Sequence, residues 1–181
     1  PTRRSSDLTK RPIRGHFAKV IAVMPMSTIV AVATLSGQRS LAADRRLNGH
    51  GGNHELAQLA CRDVALQNAV RIGAGSYWQI CWDALIAVGA HKGRALPGHA
   101  GDFETSLMMA QRPELIPAER PRRDGMEDAD TRPVAPYRHE RNGWWKDVNG
   151  FTDSPANATA EKGQRDFDAI VAALRRDLDL E

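Results

Sequence analysis

Residues 48–53 have the sequence NGHGGN, in which glycines lie on both sides of a histidine. Glycine lets the backbone turn sharply, so this stretch presents the imidazole of His50 on an exposed turn. A helical apolar pattern follows from about His54 to Val70, with Asn53 as its predicted N-cap. Candidate strands and helices alternate along the rest of the chain, which predicts an α/β domain.

His50 has two interpretations, and its spacing does not decide between them. Neutral imidazole is a common metal ligand, and a strand-to-helix junction is a suitable place for one. Alternatively, the stretch is a tight turn whose histidine caps a neighbouring group. His54 and Glu55 are predicted to be solvated residues of the first helical turn, because two glycines separate them from His50.

A second histidine lies between glycines in the stretch GHAGDFETS, residues 98–106. His99 is followed by Glu104 at the start of a helix predicted over residues 103–112, which Pro113 closes. A carboxylate there is either a metal ligand or a partner of the helix dipole. Together with His50, this His/Glu set suits metal-assisted hydrolysis, in which a metal polarises a carbonyl group and a free histidine moves protons.

The remaining pattern predicts the elements around these two stretches. A turn at Gly73–Gly75 precedes a strand end at residues 76–78, and residues 117–150 form a long surface excursion. A final helix is predicted from about Gln164 to Leu178. The apolar faces predicted for the two long helices are Leu56, Leu59, Ala60, Val64 and Val70, and Phe167, Ile170, Val171, Leu174 and Leu178.

Four tryptophans stand in pairs, Trp78 with Trp82 and Trp144 with Trp145. Core packing explains at least two of them. One exposed tryptophan is able to form an apolar wall for a small planar substrate.

The composition, with 181 residues, 41% hydrophobic and 26% charged, is that of one globular domain. The net charge of +3 is small and its basic residues concentrate in the first fifteen positions, so we expect no nucleic-acid partner. Cys61 and Cys81 belong to no CxxC pair and are expected to be free thiols in a reducing compartment, which favours the cytoplasm.

An apolar stretch at residues 20–35 leaves two interpretations open. It predicts two buried strands, Val20–Met24 and Thr28–Leu35, that Pro25 separates. Alternatively, it is part of a signal peptide that is cleaved after Ala43. It is short for a membrane span and is interrupted by Pro25, so no membrane association is expected.

Four segments together resemble the creatininase family: NGHGGN at 48–53, SYW at 76–78, GHAGDFETSLMMAQRPEL at 98–115 and GFTDSPANATAEKG at 150–163. The resemblance covers residues 41–181 and leaves residues 1–40 as a poorly matched segment. It implies a three-layer α/β fold with a parallel central sheet and a two-metal site of zinc, sometimes with manganese. It also implies hydrolysis of a C–N bond in a small cyclic or linear amide, by a homo-oligomer that is commonly a hexamer.

The resemblance also implies roles for four residues. His50 and Glu104 match metal-binding residues of the family. His99 matches the histidine that moves protons to the leaving nitrogen, and Trp78 matches a tryptophan beside the substrate.

Three departures from the family pattern bear on function. Gly52 stands where creatininase has a metal-binding glutamate, and a second substrate tryptophan falls near Ala95, which argues against creatinine as the substrate. The early E-x-H-G…D segment has no counterpart in residues 1–47, and residues 40–47 resemble a family helix that leads into the turn.

From these departures we expect an incomplete N-terminal part of the fold and weak metal binding by this chain alone. Two functions are open: a truncated metal-dependent amidohydrolase, or an inactive remnant that serves only as an oligomerisation or binding module.

Overall fold

The computed structural model describes residues 20–21, 44–123 and 142–177, with side chains from residue 45 onward. In this part of the chain, three parallel strands lie in the order β1 (Val20–Ile21), β2 (Asp44–Asn48) and β3 (Ile72–Ser76). The helices are α1 (His54–Gln67), α2 (Tyr77–Ile80), α3 (Trp82–Ala87), α4 (Asp102–Gln111), α5 (Trp144–Asp147) and α6 (Ala160–Asp177). Single 3₁₀ turns cover Gly51–Asn53, Pro113–Leu115 and Pro155–Asn157. The predicted α/β fold with a parallel sheet is confirmed.

The strands correct two sequence predictions. Asp44–Asn48 is a strand rather than the end of a helix, because it pairs with β1 on one side and β3 on the other. Gly73–Gly75 lies within β3 rather than in a turn, because its residues pair along their whole length with β2. A small residue also fits at Gly75, where an added Cβ would lie 3.0 Å from Ile80.

The two strands predicted before residue 36 are only partly described. Val20–Ile21 forms β1, as the first of them requires. The rest of both strands and the segment of the signal-peptide alternative lie outside the described residues.

Helix α1 packs on the sheet through small side chains. Its buried residues are Ala57, Ala60, Cys61 and Val64, and Ile72 and Ala74 of β3 pack against this cluster. The prediction that Leu59 shares this face is wrong, because Leu59 is 53% exposed. Residues 57 and 59 lie about 200° apart around an α-helix, so a stripe centred on Ala57 and Ala60 turns Leu59 to the solvent.

A second hydrophobic cluster joins α2, α3, α4 and α6. The last helix contributes residues of its predicted apolar face to this cluster. Its buried residues include Trp78, Leu85, Phe103 and Ile170, and Leu174 packs against them. Leu178 lies outside the described residues. Helix α4 begins and ends within one residue of the prediction, and only Arg112 separates its last residue from Pro113.

Two features bring α4 and α6 together. An added Cβ at Gly163 would lie 1.8 Å from the backbone oxygen of Ser106, so only glycine fits at this crossing. A buried ion cluster joins the same helices: Arg94 lies 2.5 Å from Asp166 and 3.6 Å from Asp102, and Lys162 bonds Asp102 at 2.8 Å. Removing one partner of such a cluster leaves a buried charge without compensation.

Both cysteines are buried, and neither forms a disulfide among the described residues. Of the surface excursion predicted over residues 117–150, the flanks 117–123 and 142–150 are described, and most of their residues are exposed. No helix in the described ranges has the length and apolar character needed to cross a membrane.

Burial makes Cys81 a test of this packing. Its exposure is 1%, and burial raises the pKa of its thiol to about 11. The thiolate is the reactive form of cysteine, so we expect iodoacetamide at pH 8 to leave Cys81 unmodified in the native protein and to modify it in urea. Peptide mass spectrometry would record the difference. Folding raises the pKa of the Cys81 thiol, so the thiol's contribution to the free energy of unfolding is present below its ordinary pKa and is lost as the pH rises through about 11. Rapid alkylation of Cys81 in the native protein would contradict the packing.

Candidate functional site

The site begins where β2 and β3 end side by side. Asn48 pairs with Ser76, and its side-chain nitrogen donates to Ser76 Oγ and to the backbone oxygen of His50, both at 2.8 Å. The backbone N–H of His50 donates to Asn48 Oδ1 at 3.2 Å. Because a backbone N–H only donates, this bond establishes which atom of the Asn48 amide is oxygen. The turn that presents His50 is therefore attached to the edge of the sheet.

The 3₁₀ turn Gly51–Asn53 then leads from His50 into α1. Asn53 stands at the predicted N-cap position, but its side chain makes no capping hydrogen bond to the helix. An added Cβ at Gly52 would lie 3.2 Å from His50 Nε2. A larger residue at position 52 would therefore crowd the imidazole that the turn presents.

His99 is held by a residue more than fifty positions later. Its backbone N–H donates to Thr152 Oγ1 at 2.8 Å, and its carbonyl oxygen accepts from the Thr152 N–H at 3.0 Å. Gly98 has a φ of +65°, and an added Cβ there would lie 2.7 Å from Thr152 Oγ1. Glycine is thus required before His99 for conformation and for space.

Asp153 holds the ends of the same loop. Its carboxylate accepts from the Ala95 N–H at 2.7 Å and from the Asp102 N–H at 2.8 Å, and its exposure is 1%. An added Cβ at Gly101 would lie 1.4 Å from this carboxylate. Burial raises the pKa of Asp153, against the opposing effect of its two backbone donors. We call Thr152 and Asp153 the loop clamp.

The turn and the clamped loop meet in one pocket of about 560 Å³. The ring centroids of His50 and His99 are 6.0 Å apart, and Trp145 lies edge-on to His99 at 5.0 Å. The lining residues with aromatic or polar side chains are His50, His54, Glu55, Trp78, Gln79, His99 and Trp145. Aromatic walls with a few convergent polar groups are typical of small-molecule sites.

Of the four residues singled out in the sequence, the structure brings three together. His50, His99 and Trp78 line the pocket, whereas Glu104 is not among its described lining residues. Glu104 Oε2 accepts from the Ala100 N–H at 2.7 Å, beside His99 in the chain. Burial, and then the charge of Glu104, raise the pKa of Tyr77. Glu104 therefore supports the start of α4 in this structure.

The described residues do not fit a complete metal site. Among residues 45–123 and 142–177, no group of three or more His, Cys, Asp or Glu side chains is arranged to hold a metal ion. A catalytic zinc takes about three protein ligands, and a two-metal site takes more. We therefore assign no reaction step to a metal.

The structure corrects the prediction for His54 and adds Trp145. His54 is half-buried and its Nδ1 lies 2.7 Å from Ser76 Oγ, so it is not a solvated first-turn residue. His54 is half-buried because α1 starts at this residue, beside the end of β3. Trp145 is 51% exposed, whereas Trp78 and Trp82 are buried. The paired tryptophans signalled an exposed wall, but their spacing in the chain did not show which tryptophan reaches the pocket.

Together, these features define an α/β protein with a histidine-lined pocket at the carboxyl edge of a parallel sheet. The model of the creatininase family, described as creatinine amidohydrolase, matches residues 36–178, and the chain belongs to this family. A sequence comparison with curated proteins finds no match.

Solved creatininase structures share the fold. A mutant creatininase of type II has a TM-score of 0.54 at 22% identity, over 84% of this chain and 63% of that one. A mutant creatininase complexed with creatine has a TM-score of 0.55 at 20% identity, over 84% and 62%. A structure named creatininase Mn has a TM-score of 0.52 at 22% identity, over 84% and 63%. The chain thus spans less than two thirds of the length of these proteins.

The loop clamp is open to a direct test with Asp153→Asn. The variant keeps one acceptor, but its new NH₂ group faces a backbone N–H, so we expect a loss of about 1–3 kcal/mol in the free energy of unfolding. Urea denaturation measures this loss. The matched control is Asp63→Asn on the exposed side of α1, with an expected change within about 0.5 kcal/mol. Equal stability of the two variants would contradict the clamp.

Proposed function

We propose that this chain carries part of the active site of a creatininase-type amidohydrolase, which hydrolyses a C–N bond in a small cyclic or linear amide. The observation that carries the proposal is the approach of His50 to His99, with ring centroids 6.0 Å apart, in a pocket with indole walls. Family membership supports a hydrolase of this kind.

His99 is the proposed proton carrier. In amide hydrolysis the oxygen of water bonds to the carbonyl carbon, the C–N bond breaks, and the leaving nitrogen takes a proton. An imidazole titrates near neutral pH, so it is able to accept the proton of water and return it to nitrogen. The hydrogen bonds between Thr152 and both backbone groups of His99 support this role, because they hold the part of the loop that carries His99 beside the pocket.

Trp78 is the proposed wall for the substrate. Its side chain is 7% exposed and its ring lies edge-on to Tyr77, so it forms a rigid apolar surface at the pocket. Gly52 and Ala95 replace two side chains of creatininase, and we therefore propose an amide other than creatinine.

His50 and Glu104 are the proposed metal ligands from this part of the chain, for a zinc or manganese site. The neighbours named creatininase Mn and Zn-Zn creatininase support a divalent metal. Because the described donors are too few, the remaining ligands must come from outside residues 45–123 and 142–177, or from a second copy in a homo-oligomer.

A second candidate function rests on the same shortage of ligands. A chain that cannot complete the metal site would serve only as an oligomerisation or binding module. The Glu104 carboxylate accepts from the Ala100 N–H at 2.7 Å. This hydrogen bond stabilises the loop without any metal, which favours the binding module.

The activity of the wild-type chain separates the two functions, and His99→Gln tests the role of His99. We expect the purified chain with added Zn²⁺ or Mn²⁺ to hydrolyse a member of a panel of small cyclic and linear amides, as product NMR would record. In the variant, kcat falls by about 10²–10⁴-fold, because general acid–base catalysis supplies rate increases of that size.

The matched control is His91→Gln, the same chemical change outside the described lining of the pocket. It should keep the activity of the wild-type chain. A wild-type chain that hydrolyses no amide with either metal would contradict the enzyme proposal and favour the binding module.

A further inference from the structure

The pocket contains a third imidazole for which the family resemblance assigned no role. His54 lines the pocket with His50 and His99, and its ring centroid lies 6.3 Å from that of Trp78. It is half-buried and is the first residue of α1. An imidazole in this place is able to bind a metal, carry a proton or donate a hydrogen bond, and its partners decide which of these it does.

The partner of His54 is a fully buried hydroxyl group. Ser76 is the last residue of β3 and its exposure is 0%. Ile72, Ala74 and Ser76 share one face of the strand by alternation, and Ile72 and Ala74 pack against α1. Ser76 therefore points to the start of α1, where its Oγ lies 2.7 Å from His54 Nδ1.

Asn48 determines how this hydroxyl group is used. The His50 N–H identifies Oδ1 of the Asn48 amide, so the nitrogen of that amide is the atom that donates to Ser76 Oγ at 2.8 Å. One lone pair of the hydroxyl oxygen is thereby occupied. Among the contacts of the described residues, the hydroxyl hydrogen has one acceptor, His54 Nδ1.

The tautomer of neutral His54 follows from this pairing. If Nδ1 carried the ring hydrogen, it would donate to Ser76 Oγ and the buried hydroxyl hydrogen would have no acceptor among these groups, which is unfavourable. If Nδ1 accepts, every hydrogen is paired and the ring hydrogen stays on Nε2. With Nδ1 directed at Ser76, Nε2 is the nitrogen that remains for the pocket.

We propose that His54 donates its Nε2 hydrogen to the carbonyl oxygen of the substrate, and that Asn48 and Ser76 are the residues that position it. This role rests on the proposed function. When water bonds to the carbonyl carbon, the C=O electron pair moves to the oxygen and the proton of water passes to His99. His54 stabilises the negative oxygen without transferring a proton, because a fixed donor favours that charge more than the neutral carbonyl.

The tautomer is testable without any hydrolysis, in long-range ¹H–¹⁵N spectra of protein with ¹⁵N-labelled histidine, where His54→Gln assigns the signals. We expect neutral His54 to carry its hydrogen on Nε2. In Ser76→Ala, the Nδ1 signal should move downfield, towards that of an imidazole nitrogen without a hydrogen-bond donor. A hydrogen on Nδ1, or an unchanged Nδ1 signal in Ser76→Ala, would overturn the proposal.

Two further measurements cover other outcomes. Zn²⁺ added to the wild-type chain should leave the Nε2 hydrogen of His54 in place. If the metal displaces that hydrogen, His54 is a metal ligand and the proposal is overturned. This measurement does not depend on the folding of Ser76→Ala.

The second measurement uses any amide that the wild-type chain hydrolyses. His54→Leu should lower kcat by about 10²–10³-fold. His54→Gln keeps an N–H donor and should retain more activity than His54→Leu. Equal losses in the two variants would refute the donor role. A chain that hydrolyses nothing refutes the proposed function, whereas the spectra still report on His54.

Discussion

The pairing of Asn48 with Ser76 at the ends of two parallel strands is the constraint on which the pocket depends. Parallel strands bring their carboxyl ends to one edge, and this register sets the two side chains next to each other on the same face. From there the chain turns into His50 on one side and into the helix of Trp78 on the other. One short amide side chain thus connects the strand ends, the backbone of the turn and, through Ser76, the ring of His54.

The loop clamp supplies the other half of the pocket by a different means. His99 lies on no strand, and backbone N–H groups of its loop donate hydrogen bonds to the side chains of Thr152 and Asp153, which position the loop. Gly98 and Gly101 allow those side chains to approach the loop backbone. The buried Asp153 is expensive to desolvate, yet its two backbone donors recover part of that cost. The chemistry of the GHAG stretch therefore depends physically on the distant GFTD stretch.

Much of the site could be predicted from the sequence, because its parts carry local signals. Glycines beside His50 and His99 indicated turns with presented imidazoles, and Pro113 located the end of α4 to within one residue. The apolar period located α6, which begins at Ala160, four residues before its predicted start. The strand at Asp44–Asn48 had no such signal, since its sequence DRRLN is mostly polar and its pairing partners lie elsewhere in the chain. Similarly, the glycines of β3 indicated a turn, and pairing with β2 overrode that local preference.

The contacts of the functional side chains also differ in how far they could be predicted from the local sequence. His54 looked solvated because sequence spacing compares it with His50, whereas its actual partner, Ser76, lies twenty-two positions away. A partner distant in the sequence therefore decided the outcome for His54, and periodicity contains no information about it. The Glu104 carboxylate accepts from the backbone N–H of Ala100, four positions away, and its role as a metal ligand stays a prediction.

The imidazoles of His50 and His99 lie edge-on, with ring centroids 6.0 Å apart, in a pocket whose described donors do not complete a metal site. The most direct test is anomalous diffraction at the zinc edge from crystals of the full chain grown with Zn²⁺. We expect a zinc peak at coordination distance from His50, with at least one ligand from outside residues 45–123 and 142–177 or from a second copy. Zinc bound elsewhere with none at His50, or a zinc site completed by the described residues alone, would contradict it.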